Sequence, residues 1–197
     1  MTEKLTKREQ THQRMLAAAG RSFRSHGYAG IGVDGIAKEA GVTSGAFYAH
    51  FGSKDGAFTS AVIGGLDEVI EGVPIFQSTH GNGWVQAFAD YYLGKPHRDD
   101  QACGCAMTSL TPEVVRSNDD LKLTYEKKMV KIVALMAEGL AGTSEENRIA
   151  RAWSMLAVLI GGLSITRAMV NVDTAEQISE AVKVVAIKAA GQTQTVV

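Results

Sequence analysis

Between Val33 and Asp55 the chain reads VDGIAKEAGVTSGAFYAHFGSKD, and few backbones suit that order of residues. Val33, Ile36, Ala37 and Ala40 recur at i, i+3, i+4 and i+7, which lays one apolar stripe along a helix. Gly41 follows, where a helix commonly ends in a left-handed residue. Thr43 or Ser44 can then cap a second, short helix by accepting a backbone N–H. In that helix Phe47 and Phe51 lie four apart and face the core, while Ser44, Tyr48 and His50 point elsewhere.

Two short helices around a glycine turn form a helix-turn-helix, a unit that lays its second helix in the major groove of DNA. The rest of the composition permits such a unit. The chain has 197 residues, 45% hydrophobic and 21% charged, enough for a folded core in one large or two small domains. Net charge is −1, unevenly spread. Residues 1–60 hold eight Lys/Arg against five Asp/Glu, or +3, which leaves −4 for residues 61–197. A mildly basic head on an acidic body fits DNA binding by the head, although the asymmetry is small.

The N-terminal MTEKLTKREQTHQR lacks the apolar run of a signal peptide. The longest apolar stretch, between Arg151 and Arg167, falls short of the roughly 20 residues of a membrane span and reads as a buried helix. No membrane partner is expected. Two cysteines, Cys103 and Cys105, are too few for a disulfide scaffold, so a reducing cytoplasm is the expected location.

Periodicity and caps predict an all-α chain of nine or ten helices. Thr6-Lys7-Arg8-Glu9 matches a capping box, opening a helix over 7–26 with Met15, Ala19 and Phe23 inward and Gly27 at its end. Ser53 caps a fourth helix that should stop near Gly72-Val73-Pro74, followed by a loop over 77–83. A fifth helix spans 84–93, and 94–100 reads as a surface loop. Residues 102–110 form a short apolar helix, and Thr111-Pro112 starts another. Residues 119–140 form a long amphipathic helix with Leu123, Met129, Val130, Val133, Met136, Ala137 and Leu140 on one face. Helices over 145–170 and 175–190 follow, the first capped by Ser144 and the second by Asp173 or Thr174, and 192–197 reads as a frayed tail. The expected domains are 1–56, a helix-turn-helix DNA-binding head, and 57–197, a larger helical body.

Arg14-Met15-Leu16-Ala17-Ala18-Ala19, Phe23, Gly27-Tyr28, Val33, Ile36-Ala37, Ala40-Gly41-Val42, Gly45, Phe47-Tyr48, His50-Phe51 and Ser53-Lys54 at this spacing resemble the TetR family of bacterial transcriptional regulators. The resemblance covers roughly residues 14–58; in the body only the segment from Gly104-Cys105 to Glu113 resembles one branch of the family, and weakly. It implies a homodimer on a palindromic double-stranded DNA operator, usually a repressor, with a small-molecule effector in the body that changes the spacing of the heads and releases the DNA. It implies no enzyme activity. The chain departs from the family pattern at Ile31 and Gly32, where a phosphate-touching hydroxyl is common, and at Ala49, often an aromatic or basic residue.

The head supplies the chemistry for DNA. Thr43 and Ser44 offer hydroxyls at a helix N-terminus, where free N–H groups already favour phosphate. Tyr48 and His50 can reach backbone or base edges, Lys54 brings charge to phosphate, Gly45 admits close approach, and Ala46 can touch a thymine methyl. For the body, the resemblance implies an effector pocket among the middle helices, with Trp84, Phe88, Tyr92, Met107, Tyr125, Met129 and Trp153 as the candidates for an apolar or aromatic ligand. Each of these residues also suits a plain core. The resemblance puts the dimer face on the last two helices, with Leu156, Leu159, Ile160, Gly161, Gly162 and Leu163 in one stripe and Ile178, Ala181, Val182, Val185 and Ala189 in the other; packing within one chain is the other reading of both stripes.

Two other functions stay open at this stage. One is a regulator switched by oxidation of Cys103 and Cys105; residues two apart on a helix do not face each other, so inert thiols are the simpler reading. The other is a helical enzyme or small-molecule binder without a DNA role. No metal site, cofactor motif or nucleophile–base spacing stands out, and a site from His97, Cys103 and Cys105 is weaker than the thiol switch.

Overall fold

The computed structural model describes residues 6–192; of the expected tail over 192–197, residues 193–197 lie outside them. The described residues are all-α: α1 Lys7–His26, α2 Val33–Glu39, α3 Ser44–Phe51, α4 Lys54–His80, α5 Trp84–Leu93, α6 Lys95–Asp99, α7 Ala106–Val115, α8 Asp119–Glu138, α9 Glu145–Arg167 and α10 Val172–Ala189, with one 3-10 turn, Gly81–Gly83, before α5.

Local chemistry sets the head's boundaries. The Thr6 side chain accepts the Glu9 N–H, and Glu9 accepts from the Thr6 N–H at 2.7 Å, completing the capping box of α1. Gly41 (φ +67°) and Gly52 (φ +71°) separate α2, α3 and α4, and a side chain at either would be strained. Thr43 rather than Ser44 caps α3, its Oγ1 accepting the Ala46 N–H at 3.2 Å. Ser53 Oγ accepts the Gly56 N–H at the start of α4.

Two compact units divide the chain. The first comprises Met1–Gly65 and Gln101–Tyr125. Its core joins Met15, Ala18, Phe23, Ile36 and Phe47, all without solvent contact, with Phe51 packed at the margin. Each large apolar side chain so buried stabilises by about 1.5–3 kcal/mol. Gly65 lets α4 close on α7, since a Cβ there would lie 2.4 Å from Ala106 Cβ. Glu113 of α7 accepts the Tyr28 N–H at 3.4 Å, tying α7 to the turn after α1.

The second unit comprises Leu66–Asp100 and Glu126–Val197. Here α10 packs on α9 and α5, and α6 packs on α5 and α9. Leu156, Leu159, Leu163 and Met155 of α9 are fully buried. Gly162 lets α10 approach, because a Cβ there would sit 2.4 Å from Val182 Cγ1. Trp84 Nε1 donates to the Gly139 carbonyl and Gln77 Nε2 to the Leu135 carbonyl, both at 2.8 Å. Buried Arg98 donates to Ser179 Oγ and pairs with Glu176, which holds the Glu176 carboxyl below its ordinary range.

Several expectations are corrected here. α4 runs through Pro74 to His80, because burial of Leu66 and Val73 and the contact of Phe76 with Phe88 outweigh the local proline penalty. The expected loop at 94–100 contains α6, with Pro96 in its first turn, where the missing N–H costs nothing. A single helix, α7, replaces the two expected across Thr111-Pro112. On α8, Leu123 and Val130 are exposed, and Ile132 takes the inward place. Asn171, not Asp173 or Thr174, caps α10, accepting the Thr174 N–H at 2.8 Å.

α9 is long and apolar enough, by length and composition, to cross a membrane, yet only 39% of that apolar window is buried inside the protein. The expectation of a buried helix therefore holds for one side only. The other side carries Ala150, Trp153, Ser154, Ala157, Ser164, Ile165 and Ala168 in the open.

Candidate nucleic-acid interface

The turn and helix from Thr43 to Phe51 expose one side and bury the other. Phe47 is fully buried and makes an edge contact with Tyr48, whose ring is 51% exposed. Thr43, Gly45, Tyr48 and Ala49 are exposed; Ser44, Ala46 and His50 are half-buried. The residues able to touch a groove without disturbing the core are thus Thr43, Gly45, Tyr48 and Ala49, with Ala46 beside them.

The neighbouring helices hold this face in place. Arg21 Nε of α1 donates to Glu39 of α2 at 2.8 Å, and Ser22 Oγ donates to the same carboxylate at 2.6 Å. Ser44 Oγ donates to Asp34 Oδ1 at 2.5 Å, locking α3 to α2. That hydroxyl proton is already used, so Ser44 can meet a phosphate only through its backbone N–H or by giving up Asp34. Gly32 opens α2 with no side-chain cap, in keeping with the missing hydroxyl there.

Lys54 does not project freely. Its Nζ lies 4.4 Å from the centre of the Tyr28 ring, a cation–π contact that fixes the charge near the start of α4. The Tyr28 hydroxyl donates to Asp55, and this hydrogen bond pushes the phenol up to about 12, so it stays protonated. Tyr28 also packs against Phe23 and Phe58, which makes it the joint between α1 and α4.

His50 meets a residue that sequence reasoning passed over. Its Nδ1 lies 3.3 Å from Nδ1 of His12 on α1, and His12 also packs against Phe51 at 5.3 Å. Burial, then the nearby His12 and Arg8, hold the His50 ring below its ordinary value. The register of α1 carried the signal: His12 precedes Met15 by three, on the side that Met15, Ala19 and Phe23 turn to the core.

The body candidates fall in different places. Met107 and Tyr125 belong to the first unit, and Trp84, Phe88, Tyr92, Met129 and Trp153 to the second. Trp84, Phe88 and Tyr92 form one aromatic row along α5, with ring centres 6.3 and 5.7 Å apart, all buried. The Tyr125 hydroxyl shares a hydrogen bond with Thr111, and burial pushes that phenol up. Trp153 is 40% exposed on the open side of α9. Cys103 and Cys105 precede α7 instead of lying on a helix; they are not joined in a disulfide, and Cys103 is exposed while Cys105 is buried. Among the described residues no group of three or more His, Cys, Asp or Glu could hold a metal.

Residues 15–60 match the family model of bacterial regulatory proteins, tetR family. An HTH-type transcriptional repressor of Streptomyces coelicolor, SCO4008, is 32% identical over 88 residues, which span 45% of this chain and 45% of that protein. The alignment therefore covers less than half the length of this curated relative. Among solved structures, a TetR-family transcriptional regulator from Cytophaga hutchinsonii superposes with a TM-score of 0.76 at 18% identity, over 98% of this chain and 100% of that one. One from Agrobacterium tumefaciens gives 0.74 at 16% identity, over 90% and 97%. These structures share the fold of nearly the whole chain, and the sequence match lies on the helix-turn-helix. By sequence, residues 15–60 carry the match to the tetR family of bacterial regulatory proteins, and nearly the whole chain shares the fold of these TetR-family structures.

Proposed function

We propose that this protein is a transcriptional repressor that binds a double-stranded DNA operator as a homodimer and releases it when a small apolar or aromatic effector binds. Residues 1–56 act as the DNA-binding head, and 57–197 as the effector-binding and dimerising body. The observation that carries the reading is the division of α3, with Phe47 wholly buried and Tyr48 half in solvent on a helix that the Ser44–Asp34 hydrogen bond ties to α2, itself ion-paired to α1. Thr43, Gly45, Ala46 and Tyr48 meet the groove, His50 sits at the edge of that face, and Ser44 and Lys54 act through backbone and charge toward phosphate. The S. coelicolor relative, a repressor by name, supports the sign of regulation. A cytoplasmic location follows from this role.

The open side of α9 supports the homodimer. From Ala152 to Thr166 no residue is charged, and the exposed Ser154 and Ser164 hydroxyls donate back to the Ala150 and Ile160 carbonyls at 2.9 Å. The face is therefore apolar in effect. It differs from the expected stripe: Leu156, Leu159, Gly162 and Leu163 pack within the chain, Ile160 and Gly161 are half-buried, and Ala157, Ser164 and Ile165 take the outward place. Effector binding rests on the α5 aromatic row together with Phe76, which contacts Phe88 at 5.4 Å.

The test is a mobility-shift series with the full chain and the DNA upstream of its own gene. Selective binding that weakens steeply with salt is expected, because Lys and Arg release counterions on phosphate contact. Equal retention of unrelated DNA would refute the reading.

A further inference from the structure

The His12–His50 pair joins α1 to the C-terminal end of α3 across 38 positions of sequence. An Nδ1–Nδ1 separation of 3.3 Å needs one nitrogen to carry hydrogen and the other to be bare. The pair can hold this bond with both rings neutral, or with one proton added, when an imidazolium donates to a neutral ring. Two added protons leave an N–H on each side of the gap and two like charges facing each other.

The surroundings sharpen this behaviour. The pair opens on a groove of about 500 Å³ lined also by Arg8, Glu9 and Gln13, so protons from solvent reach it. From α1, the charged groups facing it are Arg8 and Glu9; Glu9 is held by the N–H and hydroxyl of Thr6. On α2, Asp34 and Glu39 are engaged by Ser44, Arg21 and Ser22, and on α4, Lys54 and Asp55 are engaged by Tyr28. Among the described residues no carboxylate bonds either ring to offset a second proton.

We propose that His12 is a positioning residue for α3: its bond to His50 fixes the C-terminal end of the DNA-reading helix on α1, and a second proton taken up by the pair frees that end. The inference rests on the reading of α3 as the DNA-reading helix. The sign follows from linkage. His50 is held below its ordinary value in the folded protein, so the latch is intact at and above the ordinary histidine range and is lost as pH falls through the lower, folded value.

Side-chain NMR of the full-length protein tests the latch without DNA, from about pH 8 down to about pH 5. The His50 ring should titrate below its ordinary value, and the backbone amides of Tyr48 and Ala49 should follow that step. In His12→Gln the amide keeps a hydrogen bond to His50 but does not titrate; His50 should then show one step, and the α3 amides should hold still. In His12→Phe, which preserves the packing on Phe51, those amides should at neutral pH already resemble the acid form of the wild type. A His50 ring that titrates at its ordinary value, with α3 amides indifferent to pH, would overturn the proposal. With a duplex selected from genomic fragments, preference over a scrambled duplex should fall about tenfold on acidification in the wild type and hold in His12→Gln. A protein that selects no duplex at any pH defeats the proposed function, whereas the NMR result decides the latch.

Discussion

The exposed sides of α3 and α9 have little in common, although each helix turns buried apolar residues to the opposite side. On α3 the open surface carries the Thr43 hydroxyl, the bare backbone of Gly45 and the Tyr48 ring, all able to meet a wet, charged partner. On α9 the open surface carries alanines, Ile165, Trp153 and two serines whose hydroxyls are spent on their own helix. Exposure alone thus says little; the state of the hydrogen-bonding groups separates the two. A face that keeps hydroxyl protons free, as Thr43 does while its oxygen caps α3, suits phosphate and base edges, and one that spends them internally suits a dry contact with another protein surface.

The largest expected effect comes from charging the dry face. Ala157→Arg should leave the secondary structure intact and shift the protein to a monomer by light scattering. Loss of the paired heads should weaken operator binding by about a hundredfold or more. A dimer that survives this change would break the comparison. Removing the wet anchor comes next: Tyr48→Ala should weaken binding by about tenfold or more with little change in melting temperature, since half of that ring faces solvent.

Two further changes separate packing within the chain from either open face. Gly162→Val should destabilise by about 1–3 kcal/mol in thermal unfolding, because the added side chain meets Val182. At temperatures where the variant is folded, DNA affinity should be unaltered. Trp84→Phe removes the donor to the Gly139 carbonyl and should cost about 1 kcal/mol, read the same way.

The head was legible because its boundaries are written locally. Thr6 with Glu9, Gly27, Gly41, Thr43 and Ser53 each place a helix end through the residue's own chemistry, and those ends fall where expected. The body was less so. Pro74 and Pro112 read as stops, but buried partners on either side carry α4 and α7 through them. Helix α6 hid in a stretch rich in polar residues because proline is harmless in a first turn.

At the candidate site, helical spacing separated the buried Phe47 from the exposed Tyr48, and the hydroxyls of Thr43 and Ser44 were visible as a pair. Their division of labour was hidden, because Asp34 lies ten residues away on another helix. His12 was missed for the same reason at greater range, and the capture of Lys54 by Tyr28 depends on a turn 26 residues earlier. Outward and inward residues of α9 were interchanged because an apolar run on every side gives periodicity nothing to resolve; only the position of α10 decides it.

Selection of fragments from the source genome by the purified full chain tests the central claim most directly. The account predicts enriched fragments with two-fold-related half-sites spaced near one turn of the duplex, roughly 34 Å, or more if the heads splay, and loss of that enrichment with Tyr48→Ala. Fragments no different from the input, or enrichment that Tyr48→Ala leaves intact, would contradict it.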